Sequence, residues 1–189
     1  MTPLYIIIGV VVVLLLWLLL TYNKLVRLKT RSDEAWSDID VQLKRRYDLI
    51  PNLMEAVKGY MKHESETLEA VVKARQQAVQ IHDKSGAALA DMAVAESALA
   101  GALKNLFALS ESYPDLKASQ NFLQLQDEIS DTENKIQAAR RFYNGNVRDF
   151  NIAIKSFPTN TIAGAFNFKA FEFFEVGDVK ERENVKVEF

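Results

Sequence analysis

Two histidines and a dense acidic stretch carry the side-chain types that catalysis could use in this chain. "HESET" opens with His63-Glu64, as the helix of a zinc hydrolase does. The second histidine ligand belongs at position 67, where Thr67 stands. His82 lies far along the chain, so the spacing does not support a two-histidine zinc site. Both histidines read as solvated surface residues. No serine sits in a Gly-x-Ser-x-Gly turn. "NGN" and "AGA" match no glycine-rich phosphate loop. Asp127, Glu128, Asp131 and Glu133 read as one solvated helix face. The absence of cysteine excludes disulfides, thiol catalysis and Cys-ligated metals. The residues therefore assign no catalytic, metal or cofactor-binding role; the chain reads as a non-enzyme without a cofactor.

The remaining constellation is cationic. Lys44, Arg45 and Arg46 stand together just before Pro51. At ~100° per residue three consecutive side chains fan over roughly 200° of a helix, so they cannot all face one partner. One reading is a solvated face with helix ion pairs. The other gives Arg45 or Arg46 to acidic groups of a neighbouring subunit, a partner or a lipid phosphate. Lipid is hard to reach, because these residues lie roughly 33 Å beyond Tyr22 on a continuous helix. Pro51 reads as a helix kink: it cannot donate to the Tyr47 carbonyl, and Ile50 is a poor cap for a new helix.

The elements that must hold these residues are helical. Residues 3–20, "PLYIIIGVVVVLLLWLLL", carry no charge. About 20 residues cross a ~30 Å hydrocarbon core, and Leu4 to Tyr22 is about that long. Tyr5 near one end, and Trp17 and Tyr22 near the other, fit interfacial anchors. A cleaved signal peptide needs a basic start and a small-residue cleavage site, and neither is seen. A retained transmembrane helix is expected. Lys24, Arg27, Lys29 and Arg31 follow it and read as membrane-interface cations. By the positive-inside rule the amino terminus is expected outside and residues 23–189 in the cytoplasm. A net charge of −2 argues against a nucleic-acid partner.

From Trp36 to Val71 apolar residues repeat at heptad spacing, through Leu43, Tyr47, Ile50, Met54, Val57, Met61 and Leu68. That is the buried stripe of a coiled coil or helical bundle. The spacing predicts helices over about 23–81, 87–112 and 116–157; no good breaker separates Asn23 from Trp36, so the transmembrane helix could run on into the first or end before it. Asp115 or Ser119 can cap the third. Gly145 reads as a tolerated or close-packing glycine inside it. The expected organisation is a short outer terminus (1–3), a transmembrane helix (4–22), a helical bundle (23–165) and an aromatic, then charged, tail (166–189). Phe166, Phe168, Phe171 and Phe174 could line a short helical face, either docked on the bundle or open to a partner. "VKVEF" alternates like a strand but has no evident partner strand.

"YNKLVRL", "EAWSDIDVQLKRRYDLIPNL", "VKGYMKHE" and "ARRFYNGNVRDFNIAIKSFPTNTIAGAFNF", in this order, resemble the LemA family of bacterial membrane proteins. The resemblance implies a single-span, largely α-helical protein with a short outer amino terminus and a cytoplasmic bundle. It attaches no activity to the chain. Some members are encoded near a membrane metalloprotease, which implies an association without a chemistry. The fold class expected is all-α: one N-terminal transmembrane helix, then an antiparallel bundle of long helices. The function expected is a membrane-anchored scaffold or adaptor, with the lipid bilayer, further copies in a homo-oligomer and a membrane protease as partners. A regulatory protease subunit, or a membrane-organising protein on anionic lipid, is the alternative. Lys44, Arg45, Arg46, Phe168, Phe171 and Phe174 are the candidate contact residues.

Overall fold

The computed structural model describes residues 2–84 and 86–175. Among these, every regular element is helical: α1 Thr2–Lys58, α2 Ser65–Asp83, α3 Leu89–Ser110, α4 Pro114–Lys117, α5 Gln120–Lys155 and α6 Thr159–Ala165. The fold is the expected all-α one, an N-terminal apolar helix leading into antiparallel packed helices. The alternating "VKVEF" stretch and the charged end of the tail lie outside the described residues.

The apolar stretch and the first heptad stripe form one helix of 57 residues, with no break between them. Nothing between Asn23 and Trp36 interrupts helical hydrogen bonding, so the span passes directly into α1's buried seam. The helix ends sooner than the periodicity predicts, at Lys58 rather than near residue 81. Tyr60 and Met61 both donate their N–H to the Val57 carbonyl, closing a tight turn. α2 can then fold back and bury Val71, Ala74 and Ala78. Met61 still fills the core, though it now sits in the turn. The heptad phase survives the reversal, which is why sequence periodicity alone did not show it.

The chain divides into two compact units, Met1–Asp40 with Ala138–Phe173, and Val41–Gln137 with Phe174–Phe189. Helices α1 and α5 contribute to both.

In the second unit, α1, α2, α3 and α5 alternate in direction. The Tyr113 hydroxyl, in the turn after α3, donates to Glu64 before α2, at 2.7 Å. That bond is the largest cause of Tyr113's raised pKa. The core is Leu43, Ile50, Leu53, Val57, Leu99, Leu103, Leu106, Phe122 and Ile129. α3, like α1, is long and apolar enough to cross a membrane, but its Met92, Leu99, Leu103 and Leu106 are buried in this core. A four-residue turn, α4, precedes α5, which starts at Gln120 instead of near 116. Ser119 caps it: the Phe122 N–H donates to Ser119 Oγ at 3.5 Å.

In the first unit α5 runs antiparallel to α1. Trp36 meets Tyr143 edge to face at 5.5 Å. Leu25 packs with Ile154, Ile162 and Ala163. Asn167 takes φ +57°, which a short polar side chain tolerates. The Phe168 N–H then reaches the Ala163 carbonyl and the chain turns back. Beyond this turn residues 168–175 have no regular secondary structure, so the helical face the phenylalanine spacing suggests does not form. The Asn151 side chain holds this segment like a neighbouring strand, donating to the Phe171 carbonyl at 2.9 Å and accepting its N–H at 3.0 Å. Tyr143 donates to the Glu172 carbonyl at 3.0 Å. Burial, then the Asp33 and Glu172 carboxylates, push the Tyr143 phenol up to about 12. Gly145 meets open space where a Cβ would be, so it is a tolerated glycine and not a close-packing one.

Candidate functional site

The most specialised polar arrangement among the described residues lies inside the second unit. Arg46 occupies a seam position of α1 between Leu43 and Ile50, and is 1% exposed. A guanidinium there loses its hydration, at an effective cost of several kcal/mol, and must find anions. Glu96 of α3 and Glu133 of α5 both accept from it. Glu96 also accepts the Tyr47 hydroxyl. Burial first, then the Glu96 charge and hydrogen bond, push the Tyr47 phenol well above its ordinary range. Tyr47 therefore remains a donor at any ordinary pH.

The fourth helix enters through the backbone. Pro51 lies inside α1 and has no N–H for the Tyr47 carbonyl. Arg75 of α2 donates its Nε–H to that carbonyl at 2.7 Å. A proline inside a helix costs ~3 kcal/mol. Ile50 and Leu53 beside it are fully buried, each contributing about 1.5–3 kcal/mol. The hydrogen bond from a charged donor adds ~1.5–3 kcal/mol. Packing and the bond together outweigh the proline. His82 lies edge-on to Tyr47 at 5.7 Å and beside Asp83. Its side chain is 7% exposed, so it is an interior residue and not the solvated one expected. One polar layer thus contains α1, α2, α3 and α5, with two guanidinium groups and two carboxylates.

Arg46 was expected as a surface contact and is instead committed to this layer. Of its two neighbours, Lys44 is exposed, and Arg45 is half exposed with Glu128 at 3.9 Å. The fan of three cations points one side chain inward and two outward, as helix geometry requires. The acidic run divides as well: Glu133 turns in, and Asp131 pairs with Lys135 at 2.7 Å outside. Phe168 and Phe171 pack on Phe150, at 6.2 and 5.3 Å between ring centres, and Phe174 is buried. They dock the tail internally, leaving Phe166 and Phe173 outside. Lys24, Arg27, Lys29 and Arg31 are all exposed, Lys29 with Asp33 at 3.0 Å. His63 is exposed, and no cluster of three or more metal-ligating side chains occurs among the described residues.

Sequence reasoning missed Glu96 and Arg75. Glu96 had a signal: it interrupts the α3 stripe between Met92 and Leu99, one charge among buried positions. Arg75 had none, because its acceptor is a backbone carbonyl 28 residues away.

Comparison with known proteins places this architecture. The LemA family profile matches residues 35–189. Protein LemA of Metamycoplasma hominis is 32% identical over 158 residues, covering 84% of this chain and 70% of that protein. Magnetosome protein MamQ of Magnetospirillum gryphiswaldense is 22% identical over 178 residues, covering 83% of this chain and 65% of its own length. Magnetosome protein MamQ 2 of Paramagnetospirillum magneticum is 23% identical over 186 residues, with 87% and 68% covered.

Two predictions concern the polar layer. Arg46→Met strands Glu96 in the interior and should destabilise the fold by about 3–5 kcal/mol, the range for breaking a buried pair. Adding Glu96→Leu should recover part of that loss. Urea unfolding of the detergent-solubilised chain, followed by circular dichroism, measures both. Arg75→Met should cost about 1–3 kcal/mol by leaving the Tyr47 carbonyl unmet. In a Pro51→Ala background the new N–H can take that carbonyl, so the same substitution should cost less. Equal costs in the two backgrounds would separate Arg75 from the proline.

Proposed function

The chain belongs to the LemA family, and from that premise we propose that it is a membrane-anchored helical scaffold acting through protein contacts and self-assembly. The observation that carries the reading is α1: a single helix holds both the exposed apolar stretch and a seam of the packed body. The first unit, attached in this way, cannot swivel about a flexible linker, which suits a protein that holds partners at a membrane. The buried cations and carboxylates serve the interior, as expected of a rigid support. On the second unit's surface, Val41, Val72, Val94 and Leu123 stand exposed, as do Lys44 and Arg45. The excess of Lys and Arg after the span supports an external amino terminus and a cytoplasmic body at the inner membrane.

Lys44→Glu with Arg45→Glu should preserve helicity while changing the oligomer size in detergent, read by light scattering after chromatography, or reducing partner capture from native membranes. Unchanged size and capture would remove the contact role from these cations. A monomer that co-purifies with a membrane protease would instead make the chain that protease's accessory subunit. The topology has its own test. A carboxyl-terminal tag should survive protease added outside intact cells and be lost after the membrane is opened; cleavage from outside reverses the orientation.

A further inference from the structure

Phe157 is 84% exposed at the corner between α5 and α6, an unusual place for a large apolar ring in water. Its position in the first unit supplies a reason. Trp36 meets Tyr143, and Leu25 meets Ile154. The antiparallel register therefore carries Phe157 to the level of Tyr22, where the apolar stretch ends. Phe166, just after α6, lies 4.8 Å from the Tyr22 ring and is itself 52% exposed. The overlap reaches further along the span: Thr21 is buried, although Leu20 beside it is 70% exposed. Packed helices thus cover one face of the last turn of the apolar helix, and two phenylalanines stand out beside it. Lys155 and Lys24 are exposed at the same level.

We propose that the α5–α6 corner is a second membrane contact, with Phe157 and Phe166 entering the headgroup–acyl boundary of the leaflet in which Tyr22 sits. The occupant of this surface is the bilayer itself, because the surface is continuous with the helix that crosses it. Aromatic rings partition to that depth, and lysines beside them reach lipid phosphates. Two points of attachment, one in the first helix and one more than a hundred residues later, hold the first unit at a fixed angle to the membrane. The inference rests on the anchored reading above and adds a contact to it.

The chain has no cysteine, so one introduced cysteine gives a unique label site. Spin labels at Phe157→Cys, Val12→Cys and Phe142→Cys in the full chain, reconstituted in phosphatidylglycerol-containing liposomes, report depth through oxygen and nickel-complex accessibility. Phe142 is an exposed α5 residue away from the corner and serves as the aqueous reference. The label at 157 should be several-fold less accessible to the nickel complex than that at 142, and closer to the label at 12. Equal accessibility at 157 and 142, with position 12 buried in lipid, overturns the second contact and leaves the anchor intact. An aqueous label at 12 overturns the anchor and this inference together. Strong dipolar broadening at 157 between copies would assign the corner to a protein interface, and also overturns the inference.

Discussion

A guanidinium placed in a dry helical interior must be surrounded by anions, and in the second unit this requirement fixes four helices at one level. Arg46 can be buried only where Glu96 and Glu133 meet it, which sets the rotation and register of α3 and α5 against α1. Replacing a buried ion pair by apolar residues is often neutral or stabilising. The value of this layer is therefore geometric: a slipped helix leaves a charge unpaired, whereas a slipped leucine stripe finds another leucine. The proline completes the arrangement. By withholding a donor from the Tyr47 carbonyl it creates one unsatisfied acceptor, and Arg75 brings α2 to it.

The first unit is organised by a different device. Asn151 offers the backbone of the segment after α6 a donor and an acceptor together, as a strand edge does, while Phe150 supplies the apolar surface on which Phe168 and Phe171 rest. This explains why a segment without regular structure stays packed. Its hydrogen bonds come from a side chain, and its burial comes from aromatic rings resting on a neighbouring ring. The left-handed Asn167 lets the chain leave α6 in the right direction.

Both devices are structural, which bears on function. The residues most easily mistaken for a site are used to hold helices and a tail in place. The surface keeps the features that interaction needs: exposed aliphatic side chains, outward cations and aromatic rings near the end of the apolar helix. Within the first unit, the helix that carries the apolar stretch is the same one on which Leu25 and Trp36 pack.

Much of this was legible in the order of residues alone. An uncharged stretch longer than most core helices, heptad stripes and the Tyr113-Pro114 stop determined the all-α class and the apolar N-terminal helix, because hydrophobic period and helix breakers act locally. The reversal after Lys58 was not legible: heptad phase continues across it, and only the room for α2 to fold back decides it. Of Lys44, Arg45 and Arg46, the heptad phase puts Arg46 on the seam, three residues after Leu43 and four before Ile50. What neutralises it there was not legible, because Glu96 and Glu133 lie 50 and 87 residues away. The phenylalanines show the same limit. Their spacing suggested a short helical face, and Asn151 with Phe150, met only in the folded chain, hold the segment packed without regular structure.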